Sequence, residues 1–160
     1  MSTELLSIGS PAPSNSVTNQ KGEAVSIADY QGQKLIVFIY PKAGTGSCLK
    51  EALSIRDGYA DLKALGYEIV GLSPDKERKL SNFIQKHEAP YDLLSDPEHE
   101  LIEAFGAWGE KKMYGKTYMG VMRSTFVLDE QGTVTHVVDK VITKAHAEQL
   151  LEILGNPVSA

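Results

Sequence analysis

The segment Leu35–Tyr40, LIVFIY, is six consecutive apolar or aromatic residues with no polar position among them. An extended chain of this kind has no face to offer to water, so it must be covered on both sides, as a strand is in the middle of a sheet flanked by helices. It is far shorter than the roughly 20 residues that a membrane helix needs. Pro41 ends the run, and Pro41–Ser47 reads as a loop. Beyond it, Ala52, Ile55, Tyr59, Leu62 and Leu65 recur every three or four residues, with Gly66 where a helix C-cap belongs. That spacing predicts a helix of about five turns. Tyr67–Ser73 then reads as a second strand, and Asp75–His87 as a second helix whose buried stripe is Leu80, Phe83 and Ile84.

The alternation continues with a short strand at Tyr91–Leu94 and a short helix at His99–Phe105. Ser124–Asp129 and Thr133–Val138 form a hairpin around Glu130-Gln131-Gly132, and a last helix at Thr143–Leu154 aligns Ala147, Leu150, Leu151 and Leu154. Pro11, Pro13 and the turn Asn19-Gln20-Lys21-Gly22 suggest a small hairpin within residues 11–34. Between Ala107 and Val121 the segment AWGEKKMYGKTYMGV shows little periodicity and is expected to be a loop over a site. Together these describe an α/β, thioredoxin-like fold: a mixed central sheet, helices on both faces and an N-terminal β-hairpin. At 160 residues a single domain spanning 1–160 is expected.

Charge removes several functions. Sixteen Lys and Arg against twenty-one Asp and Glu give −5, with the signs interspersed, so the basic patch of a nucleic-acid binder is missing. MSTELLSIGS carries no basic stretch leading into an apolar one, which favours the cytoplasm, and no membrane association is expected. His87, His99, His136 and His146 show no metal-ligand spacing and are read as surface or partly buried rings; neither metal nor cofactor is expected.

Cys48 is the sole cysteine, so no internal disulfide can form. It falls in the first turn of the predicted helix, where free backbone N–H groups and the helix dipole favour an anion such as a thiolate. Position alone leaves open a small buried apolar residue. The neighbourhood adds to this, because Pro41, Thr45 and Cys48 stand in a PxxxTxxC spacing within YPKAGTGSCLKEALSIRD. This stretch resembles the active-site loop of the peroxiredoxins, and more narrowly the YPKxxTPGCTxEACxxRD signature of the peroxiredoxin Q, or bacterioferritin comigratory protein, subfamily. The resemblance extends through VGLSPD, LLSDPEH, FGAWGEKKMYGKTYMGVMRSTFVLDEQG and the last helix.

The resemblance implies a thiol peroxidase. The Cys48 thiolate would attack hydrogen peroxide or an organic hydroperoxide and become a sulfenic acid. Thr45 would hydrogen-bond thiolate and peroxide, and Arg123 would stabilise the thiolate and polarise the O–O bond. Pro41 would shield the loop, with Tyr40 beside it, and Glu51 would orient Arg123. Read as bare residues, Thr45 is equally a loop hydroxyl, Arg123 a surface charge and Glu51 an ordinary first-turn acid. Trp108, Met113 and Tyr114 are candidates for the substrate pocket or for core contacts.

The chain departs from its subfamily at informative places. Leu53 and Ile84 occupy positions where members that resolve the sulfenate internally carry a second cysteine. Turnover then needs an outside thiol, for which thioredoxin, glutaredoxin or a small thiol would serve. Gly46-Ser47 replaces Pro-Gly, with Ser47 a candidate helix N-cap, and Leu49 replaces threonine. The missing cysteine also motivates a second reading, a redox sensor or interaction protein that forms mixed disulfides without efficient turnover. A Cys/His hydrolase would require a histidine beside Cys48, which no local pattern supplies. A monomer is expected ahead of a dimer.

Overall fold

The structure is a computed structural model that describes residues 5–42, 46–113 and 115–155. The expected central strand is β3 (Lys34–Ile39), preceded by the hairpin strands β1 (Val17–Asn19) and β2 (Ala24–Val25). Helix α1 (Gly46–Ala64) follows, then β4 (Tyr67–Ser73), α2 (Glu77–His87), β5 (Asp92–Ser95) and the short α3 (Glu100–Ala104). The order ends with β6 (Trp108–Met113), β7 (Lys116–Val121), β8 (Ser124–Leu128), β9 (Val134–Val138) and α4 (His146–Leu154), which a 3₁₀ turn at Thr143–Ala145 introduces.

Seven strands form one sheet in the order β2-β1-β5-β4-β3-β8-β9. β3, β4 and β5 run parallel, whereas β8 pairs with β3 and β1 with β5 antiparallel, so the sheet is mixed. The β1–β2 hairpin is present, with Gly22 N donating to Asn19 O at 3.0 Å in its turn.

β3 explains why LIVFIY has no polar face. Leu35, Val37 and Ile39 enter one core with Leu101, Ile102, Phe105 and Phe126. Ile36, Phe38 and Tyr40 enter the other with Ile55 and Leu62 of α1, Leu80 and Phe83 of α2 and Leu150 of α4. Thus α1, α2 and α4 cover one face and α3 the other. The two-residue alternation of a strand sorts neighbouring side chains between the cores.

On the covered face α1 and α4 approach very closely. A Cβ added at Gly58 would collide with the Ala147 methyl, so glycine at this point lets the two helices touch. Ala147 N donates to Ser54 Oγ at 3.0 Å across the same contact.

The expected loop at 107–121 is instead the antiparallel pair β6–β7, separate from the main sheet. Its strands escape a periodicity reading because β7 is exposed on both faces from Lys116 to Met119 and has no apolar alternation to display. Ala107 and Val121, at its base, are buried, and Met122 N closes on Ala107 O at 2.6 Å.

Candidate active site

Chain order brings the site together from three places: the end of β3, the first turns of α1, and the connection between β7 and β8. Gly46 opens α1 with φ of 39°, a left-handed conformation that glycine adopts without strain. The helix therefore begins one residue before Ser47, which lies exposed inside the first turn rather than at the N-cap. Cys48 is 5% exposed, and Glu51, three residues on, projects from the same helical face.

Arg123 follows the hairpin base by two residues and just precedes β8. Its guanidinium spans the helical pair: Nη2 donates to Cys48 Sγ at 3.1 Å, and Nη1 donates to Glu51 Oε1. The rigid planar fork suits such a bridge, since one cation meets two anion-forming groups without moving. Burial works against the Arg123 charge, but the bonds from Cys48 and Glu51 outweigh it and raise its pKa. Burial pushes Glu51 up to about 7, with Arg123 pulling in the opposite direction.

Tyr40 is buried and stacks on Phe38 with ring centroids 5.4 Å apart; burial holds its hydroxyl well above the usual phenol range. Pro41 is half-buried at the bend after β3. Thr45 and Tyr114 lie outside the described residues, as does the side chain of Met113. Trp108 stacks flat on His99, 3.8 Å between centroids, and packs against the core that faces away from Cys48.

His146 corrects the reading of the histidines as surface or partly buried rings, being fully buried. Its Nε2 lies 2.8 Å from Thr125 Oγ1 and 3.7 Å from Glu51 Oε2, and its Nδ1 lies 2.9 Å from Gln149 Oε1. Nothing in the sequence around it, KAHAEQ, announces burial. Its position depends on the close contact of α1 with α4.

A single thiol in the first turn of a helix, held by a half-buried arginine at the edge of a two-faced mixed sheet, defines a thiol-based redox protein of thioredoxin-like fold. The AhpC/TSA family profile matches residues 8–137, and the chain belongs to that family. It is 42% identical over 149 residues to peroxiredoxin Bcp of Escherichia coli K12, covering 93% of this chain and 96% of the relative. Peroxiredoxin Bcp of Bacillus subtilis 168 is 40% identical, covering 93% of this chain and 95% of the relative. Among solved structures, the bacterioferritin comigratory protein of Xanthomonas campestris superposes with a TM-score of 0.82 at 30% identity, covering 88% of this chain and 90% of that one. These relatives bear out the expected fold and the resemblance to the peroxiredoxin Q subfamily, and with them the activity of a thiol-dependent peroxidase.

Proposed function

We propose that Cys48 is the peroxidatic nucleophile and that the chain works by a one-cysteine cycle as a single domain. The observation that carries this reading is the Arg123 bridge from Cys48 to Glu51, which sets a half-buried cation against the sulfur. The sulfur lone pair attacks one oxygen of the peroxide, an S–O bond forms, and the O–O bond breaks. The leaving oxygen takes a proton and departs as water or alcohol; sulfur loses two electrons and becomes a sulfenic acid. Arg123 stabilises the thiolate beforehand and the charge that grows on the leaving oxygen.

With Cys48 the sole cysteine, the sulfenic acid is returned by an external thiol. That thiol forms a mixed disulfide and releases water; a second thiol frees Cys48. Thioredoxin, glutaredoxin and small thiols all fit this chemistry. The alkyl peroxide reduction described for the Xanthomonas campestris protein supports organic hydroperoxides as substrates beside hydrogen peroxide. Thr45 supplies a hydroxyl to the peroxide in this reading, and Pro41 shields the loop. Among the described residues no helix is long and apolar enough to cross a membrane. A cytoplasmic monomer is the working form in this reading.

Stoichiometric peroxide followed by intact mass with a sulfenate trap tests the proposal, repeated with thioredoxin plus its reductase and with glutathione. Oxidation at Cys48 followed by catalytic return to the thiol is expected, and Cys48→Ser should reduce peroxide consumption to background. Persistent consumption in that variant overturns the assignment. Oxidation without return to the thiol favours the sensor reading instead.

A further inference from the structure

Behind Arg123 lies a second layer of polar groups that the peroxidase reaction as written does not use. Gln149 fixes its geometry. Its Nε2 donates to Lys140 O at 2.9 Å, and its Oε1 accepts from Ile142 N at 3.0 Å, so the amide can be oriented in one way only. Gln149 Oε1 therefore faces His146 Nδ1 as an acceptor, and Nδ1 must carry the proton. Nε2 is then the bare nitrogen, accepting from the Thr125 hydroxyl at 2.8 Å. That electron-rich edge also faces Glu51 Oε2, 3.7 Å away, a buried oxygen that accepts no hydrogen bond among the described residues.

We propose that His146 is a positioning residue for the peroxidase site: its Nε2 edge, set by Gln149, disfavours a charge on Glu51 Oε2 and so leaves the Arg123 charge free for Cys48. An ionised Glu51 would share Arg123 with the thiolate and offset its charge, whereas a protonated Glu51 does not. The proton that leaves the thiol can then reside on Glu51: Cys48 thiol plus Glu51 carboxylate become Cys48 thiolate plus Glu51 carboxylic acid, with charge and protons conserved. Burial pushes Glu51 up to about 7 and His146 down to about 4, which agrees with a neutral ring beside a readily protonated acid.

The charged and titratable groups facing the pair come from several elements. Cys48 belongs to α1, as Glu51 does, and Arg123 to the β7–β8 connection. Tyr91, just before β5, feels Glu51 while its hydroxyl donates to Ala52 O at 2.7 Å. On α4 itself, Glu148 meets Ser54 at 3.4 Å on the exposed side of the contact. None of these supplies a donor to Oε2.

This inference rests on the proposed function only in taking Cys48 as the reactive thiol. The test is the rate of Cys48 alkylation by iodoacetamide against pH, which reads thiolate formation whether or not peroxide is turned over. His146→Asn keeps a donor for Gln149 and deletes the Nε2 edge. Its profile is expected to move to higher pH, with alkylation about 3- to 10-fold slower near pH 6.5 and equal to the unmodified protein near pH 9. In a Glu51→Gln background, where there is no charge to suppress, the same change should have less than about a 2-fold effect.

A profile that does not move, a loss equal at every pH, or an effect that persists with Glu51→Gln each overturns the proposal. Nitrogen-15 NMR of the unmodified protein gives a check that does not depend on the variants folding. A ring protonated at Nδ1 and bare at Nε2 is expected, and a ring protonated at Nε2 at neutral pH overturns the proposal.

Discussion

The first turns of α1 and the β6–β7 hairpin are built on opposite principles. Cys48 and Glu51 sit on a long helix sealed against the sheet, and the bonds of their side chains go to other buried or half-buried groups. The hairpin stands apart from the sheet as two strands, with Tyr118 and Met119 facing outward. Its base is fixed by buried Ala107 and Val121 and by Trp108 stacked on His99. Arg123 leaves that fixed base, so the hairpin reaches the thiol through its root. Chemistry that needs a charge held within a few tenths of an ångström is placed where packing leaves no freedom.

The contrast predicts a descending series of effects. Arg123→Ala should cost the largest amount, about 10²–10³-fold in the second-order rate with hydrogen peroxide measured by stopped flow. Rates close to those of the unmodified protein would mean that the Arg123 cation is idle. Gly58→Ala forces a methyl between α1 and α4 and should lower stability by about 1–3 kcal/mol in urea denaturation. No loss would show that the helices separate freely and that the sealed region is less rigid than described.

A pH effect comes next. Glu51 binds its proton at about 7 in the fold against 4.5 as a free side chain, so its contribution to stability grows as pH falls through that interval. His146, lowered from 6.5 to about 4, contributes stability above 6.5 that is lost as pH falls towards 4. Between pH 6.5 and 4.5 the two slopes oppose. Glu51→Gln leaves only the histidine slope, so its urea midpoint should drop more steeply on acidification than that of the unmodified protein. Parallel midpoints would remove Glu51 from the balance. Smallest of all, Tyr118→Ser at the exposed strand should change stability by no more than about 0.5 kcal/mol by the same measurement.

The same contrast explains what could be read from the chain. β3, α1, β4 and α2 were legible because burial on two sides or one stripe leaves a pattern in the order of residues. The boundaries moved by a residue or two, as with α2 starting at Glu77 rather than Asp75. The hairpin left no pattern, since β7 is exposed on both faces through most of its length. Cys48, Arg123 and Glu51 were visible through a resemblance of motifs, and the structure puts the three in contact. His146 was not: its burial arises from two helices about ninety residues apart meeting at a glycine and an alanine, and no local window contains both. Trp108 was open to a substrate pocket or a core contact, and its ring stacks on His99 against the core that faces away from Cys48.

The contact between Gly58 and Ala147 also has a meaning in time. A chain grows from its N-terminus, so α1 and its thiol are made well before the helix that will lie across them. Until α4 docks, Glu51 has no histidine beside it and the Gly58 face of α1 stays open to solvent. The surroundings of Cys48 are completed by a helix made well after it, so the thiol acquires its mature neighbours only once α4 has docked.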